Sequence, residues 1–236
     1  MSTDVLVLGL LWYVVFLLST TCHEAAHAWV AKLGGDLTAF RGGQVSLDPI
    51  PHVRREPFGM IVFPILTYLT SGWMMGWASA PYDPEWSHRY PHRAAWMALA
   101  GPGANFALAI LAAIAIHIGI GAGVFTQPDS AQFNHMVEAT AGGAAAGAAT
   151  FLSLMFSLNV LLGIFNLLPL PPLDGFAVVA LFMSEDRARQ FEAMAHGIRR
   201  YSFIGLLVAW QVFGVLYDPL FDLSLRALYP LTAYAG

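Results

Sequence analysis

Apolar stretches long enough to cross a lipid bilayer recur along the whole of this 236-residue chain, and they constrain its fold more than any other feature. Crossing roughly 30 Å of hydrocarbon takes about 20 apolar residues in a helix. Runs of that kind fall at about residues 5–33, 93–123 and 141–168, and a shorter one at 201–217. Hydrophobic residues make up 57% of the chain and charged residues 11%, too few to solvate a water-facing surface. The class expected is therefore an all-α polytopic membrane protein of about 4 to 6 transmembrane helices. It reads as one membrane-embedded domain over residues 1–236, with a core at about 5–185 and a C-terminal helix and interfacial tail at 186–236. A net charge of −4 with no basic stripe excludes a nucleic-acid partner.

Two segments depart from simple spans. Residues 57–77 are apolar but interrupted by Gly59, Pro64, Gly72 and Gly76, so a re-entrant or β-hairpin segment is expected between the first and third spans, with a strand edge at 40–80 that could pair with an extended peptide. At 169–172 the run Pro-Leu-Pro-Pro removes backbone donors and cannot continue a helix. A short helix is expected at 174–183, then a charged loop to residue 200, and an interfacial tail from 218 onward. Lys and Arg are absent from residues 1–31 and 124–140 but frequent at 32–55, 89–93 and 187–200. The positive-inside rule then places the N-terminus outside and the basic loops in the cytoplasm.

Inside the first apolar run stands His23-Glu24-Ala25-Ala26-His27. An i, i+4 pair is separated by only about 40° around a helix, so both imidazoles share a face and can bind one metal ion, with Glu24 close enough to take a proton from a water on it. The run continues nine residues to Lys32, which sets the site about 14 Å inside the cytoplasmic interface. Three ionisable groups at that depth are costly in lipid unless a cation pairs them. The single cysteine, Cys22, excludes a thiolate cluster, so imidazole and carboxylate must hold the metal. A hydrolytic site needs a third protein ligand, and Asp174, just past the proline break, is the strongest candidate. The other acids, Asp36, Asp48, Asp83, Asp129, Glu138 and Asp186 among them, fall in expected loops. Polar residues lining a transport path remain an alternative reading of the same groups.

His-Glu-x-x-His in one span and Asn166-x-x-Pro-x-x-x-x-Asp174-Gly175 in a later one resemble the site-2 protease family of intramembrane metalloproteases. Ala100-Gly101-Pro102-Gly103-Ala104-Asn105, residues 42–52 and Gly-Trp-Ala at 76–78 also resemble it, over about residues 10–185. The likeness is to compact bacterial members without PDZ or CBS domains. It implies one catalytic Zn2+ held by His23, His27 and Asp174, with Glu24 as general base and acid. It also implies a role for Asn166 in binding substrate or stabilising the oxyanion, against the plainer reading of a satisfied helix-end amide. The partners implied are a membrane-protein substrate with a transmembrane segment and the lipid bilayer. The location implied is a bacterial cytoplasmic membrane, with the active site near its cytoplasmic side. The alternatives kept beside this function are a catalytically inactive adaptor that binds membrane segments and a divalent-metal transporter. Asn159 is expected to serve packing or interhelical hydrogen bonding, and His52 either to approach the site or to order its loop.

Overall fold

The computed structural model describes residues 3–198 and 202–230. The first span forms helix α1, Thr3–Leu33. Gly34 and Gly35 end it, Gly35 adopting the left-handed conformation at φ 100° that a side chain would strain. The amide of Asp36 donates back to Ala31 O at 2.9 Å. Gly34 O accepts from both Trp86 Nε1 and Arg93 Nη1 at 3.0 Å, so the end of the helix is tied to the chain that opens the next span.

Short helices α2 (Thr38–Arg41) and α3 (Pro49–Arg55) follow, the latter capped by Asp48, whose carboxylate accepts from the Ile50 amide. His52 is buried and its Nε2 donates to Ser46 O at 3.0 Å, so it orders this loop. Residues 57–77 form an out-and-back hairpin. A π-helical turn at Phe58–Val62 runs into α4 (Phe63–Ser71), Gly72 turns the chain at φ 75°, and an extended leg returns until the Trp77 amide meets Gly59 O at 3.2 Å. Both ends thus lie on one side, as a re-entrant segment requires. A Cβ on Gly59 or Gly76 would overlap the opposite leg, so the close packing depends on glycine. The β-hairpin and strand-edge expectation for residues 40–80 is not met, since no strand lies there among the described residues. The physical reason is the inward leg: it is helical, and Thr67 Oγ1, not a strand carbonyl, accepts the Met75 amide at 3.0 Å.

Helix α5 (Pro84–Arg89) leads into α6 (Pro91–Gly121), with proline in the first turn, where its missing N–H costs nothing. The polar loop after α6 is closed by strands β1 (Phe125–Thr126) and β2 (Glu138–Ala139), paired antiparallel. Helix α7 (Ala144–Asn166) ends at the proline segment, and α8 (Asp174–Val178) with a 3-10 turn at Val179–Phe182 follows. Where a charged loop was expected the chain forms α9, Glu185–Ile198. Acidic residues in its first turn and the Glu185–Arg189 pair at 2.6 Å favour the helix, and Ala188 is fully buried beneath it. The last span, α10 (Ser202–Leu228), also exceeds expectation, running on past Pro219 into the region expected to be an interfacial tail. Burial of Ser224, Leu225 and Leu228 and the bond from His117 Nε2 to Leu228 O hold that extension to the bundle. Residues 231–236 of the expected tail lie outside the described residues.

Among the described residues four helices, α1, α6, α7 and α10, are long and apolar enough to span a membrane. The core sits where α1, α6 and α7 meet, around Trp12, Val15, Phe16, Ala109, Ala112, Ile116, Leu154 and Leu158. Small residues on α6 allow the backbones to approach, as membrane packing favours. The chain is therefore a multi-pass, all-α membrane protein.

Candidate active site

Helical spacing places His23 and His27 one turn apart on the inner face of α1, where their rings lie 4.6 Å apart at 82°. Their Nε2 atoms are 2.9 Å from each other. Asp174, the first residue of α8, brings Oδ2 to 3.1 Å from His23 Nε2 and 3.3 Å from His27 Nε2. The residues that separate them in sequence are returned by the proline segment. Gly175 packs so closely on Leu167 and Leu168 that any Cβ would overlap their carbonyls, which folds the start of α8 back onto the end of α7. Glu24 is 7% exposed, with a carboxylate oxygen within 4.8 Å of both histidine ligand atoms.

The shell around the triad fixes its chemistry. His27 Nδ1 lies 2.7 Å from Met97 O, and a carbonyl can only accept, so Nδ1 carries a proton and the neutral ring would present its lone pair at Nε2. His23 Nδ1 lies 2.6 Å from Asn105 Oδ1. Asp174 Oδ2 is buried and has no hydrogen-bond donor of its own. With both rings neutral, lone pairs of nitrogen and oxygen converge on one point, an arrangement that costs energy unless a cation occupies it.

The donor set fits zinc. Edges of 2.9, 3.1 and 3.3 Å approach the roughly 3.3 Å between ligands in a tetrahedron with bonds of about 2.0 Å. Three such donors would leave a fourth position open on a bound ion, the pattern of a catalytic rather than a structural site. Gly101 of α6 faces the same point, because a Cβ there would overlap Nε2 of both histidines.

His23, Glu24, His27 and Asp174 are thus brought together as the sequence suggests. Asn166 is not among the groups in contact with the three donor atoms; its Nδ2 donates to Leu162 O, one turn back in α7, at 3.0 Å. Sequence reasoning assigned no role to Gly101, Asn105 or the Met97 carbonyl. An asparagine within an apolar span was the available signal for Asn105, which the structure buries fully. The other two depend on how α6 packs against α1.

Comparison with known proteins agrees with this geometry. The family model described as peptidase family M50 matches residues 11–210. A protein of Bacillus subtilis (strain 168), "Putative zinc metalloprotease YwhC", is 30% identical over 233 residues, covering 95% of this chain and 96% of that protein. No solved structure matches the chain. With its HExxH helix, a carboxylate returned by the proline segment and a match across most of its length, the chain belongs to peptidase family M50, the site-2 protease family.

Proposed function

We propose that this M50 peptidase is an intramembrane zinc metalloprotease in which His23, His27 and Asp174 hold the metal and Glu24 moves the proton. The observation that carries the reading is the convergence of two imidazole nitrogens and a carboxylate oxygen beside a buried glutamate, with both histidines and the glutamate on a helix long and apolar enough to span a membrane. When bound, zinc supplies the Lewis acidity that makes a water nucleophilic near neutral pH and polarises the scissile carbonyl. Glu24 accepts the proton released as the water oxygen bonds to the carbonyl carbon. It then delivers that proton to the amide nitrogen as the C–N bond breaks, leaving a free carboxyl group and an amine. Asn166, on the α7 end that Gly175 packs against, keeps a second amide N–H with which to bind the substrate backbone or the developing oxyanion.

The substrate in this reading is a membrane protein that presents a transmembrane segment. Such a helix hides its carbonyls in its own hydrogen bonds, so the cleaved stretch must unwind before attack. The basic residues support a cytoplasmic-side site with the N-terminus outside, as does the bond of Arg93 to Gly34 O at the C-terminal end of α1. A bacterial cytoplasmic membrane and a single functional domain spanning residues 1–236 complete the proposal. A divalent-metal carrier would need a polar path continuing on both sides of the site, whereas beyond buried Ser19, Thr20 and Thr21 the first helix presents Trp12, Val15 and Phe16 to the core. An adaptor that only binds membrane segments would need no Glu24.

The test is Glu24→Gln in purified full-length protein. Zinc content stays at one per chain, while cleavage of a reporter carrying a transmembrane segment falls by at least 10³-fold. Undiminished cleavage with zinc retained would overturn the assignment of the base.

A further inference from the structure

Behind His23 lies a chain of hydrogen bonds with a fixed direction. At its far end, Asn159 Nδ2 on α7 lies 2.8 Å from Met155 O and 2.9 Å from Ser19 Oγ. A main-chain carbonyl only accepts, so the Asn159 amide must turn its NH2 toward Met155 and its oxygen toward α6. That oxygen receives Asn105 Nδ2 at 2.8 Å, which turns the Asn105 oxygen toward α1. The Asn105 oxygen in turn lies 2.6 Å from His23 Nδ1 and can only accept from it. Asn105, Asn159 and Ser19 are all fully buried, so no water competes for these positions.

From this geometry we infer that Asn159 and Asn105 form a polarised relay that holds the His23 proton on Nδ1 and keeps Nε2 as a lone pair for the metal. They are positioning residues, and Asn159 acts without touching any ligand. Each amide has a single workable orientation, because reversing either one would set two acceptors or two donors face to face. The carbonyl of Met97 does the same for His27 directly. The two imidazoles are thus oriented from α6 and α7, which fixes the three-helix arrangement and the metal site together. The inference rests on the zinc reading of the triad.

The experiment compares full-length wild type, Asn159→Leu, Asn105→Leu, the double variant and Asn105→Asp in nanodiscs, measuring zinc affinity by chelator competition and the His23 tautomer by 15N NMR of the zinc-free protein. Leu154→Ala, a core change on the same helix, controls for general loosening. The wild-type His23 should carry its proton on Nδ1. Asn159→Leu should populate both tautomers and weaken zinc binding by about 10- to 100-fold, the usual effect of losing a group that orients a metal ligand. The double variant should be no weaker than the worse single variant, since both break one chain. Asn105→Asp keeps an acceptor for Nδ1, so His23 should still carry its proton there, while the second carboxylate oxygen meets Asn159 Oδ1 and zinc binding should weaken as in Asn159→Leu. Zinc affinity unchanged in Asn159→Leu, an equal loss in Leu154→Ala, or multiplying losses in the double variant would overturn the relay. If Asn105→Asp does not fold, the Asn159→Leu spectrum and affinity still decide. Wild type that binds no zinc would instead defeat the underlying zinc reading.

Discussion

Gly101 has no functional group, yet it sets how near α6 comes to the two imidazoles. Gly101→Ala forces a Cβ into Nε2 of His23 and His27, so the helices must part or the rings must turn. Zinc affinity measured by chelator competition should fall at least 10-fold, while the helical content measured by circular dichroism stays at the wild-type value. Asn166 makes the opposite case, because its contact in the structure is local to its own helix. If its second N–H meets the oxyanion, Asn166→Ala lowers kcat by about 10²-fold with zinc retained, the usual effect of removing one such donor. Full activity in that variant would reduce Asn166 to a helix-end residue.

At the scale of elements, the end of α1 is held by side chains that arrive from the start of the next span. Trp86 and Arg93 both donate to Gly34 O, and the Trp86 ring lies over Gly34. Trp86→Phe keeps most of the ring but removes one of these bonds, so unfolding should ease by about 1 kcal/mol in a denaturation series. The hairpin at 58–77 depends on its glycines in the same way. Gly59→Leu would drive its side chain into Trp77 and separate the two legs, and increased protease cutting between residues 58 and 77 should report it. This hairpin also joins distant parts of the fold, since Tyr68 Oη donates to Val5 O at 2.8 Å and the Trp73 ring lies 4.7 Å from that of Phe133.

At the scale of the molecule, the proposed topology makes a direct prediction. In a Cys22→Ser background, Asp129→Cys should react with a membrane-impermeant thiol reagent from the outside only and Arg187→Cys from the cytoplasmic side only, both positions being exposed. Labelling with the reverse sidedness would invert the orientation and place the metal nearer the outer surface. The stacking of Phe133 on Trp12, 5.4 Å apart and nearly parallel, puts the loop containing Asp129 at the N-terminal end of α1. Ser87 Oγ meets Glu192 at 2.9 Å and so ties α9, with Arg187, to the opposite end.

Much of this was legible in the amino-acid order because the bilayer restricts the choices. Long apolar runs must be helices, ionisable groups among them must be paired, and a triple-proline break must unwind. These rules sufficed for the four spans, the shared face of His23 and His27, and the candidacy of Asp174. They misjudged α9, whose helix depends on packing one alanine face against α6, and the end of α10, which is held by docking after residue 217. They also left open how residues 40–80 fold, since a glycine-broken apolar segment suits either a strand pair or a helical hairpin until its partner surface is known. The apolar pattern and the HExxH motif by themselves determined that the chain is a membrane protein with two histidines on one face of a helix. Only the tertiary structure decided how near Asp174 comes to the two histidines, which glycine lets α6 approach them, and which buried amides stand behind His23, because those depend on distances between segments that sequence spacing does not contain.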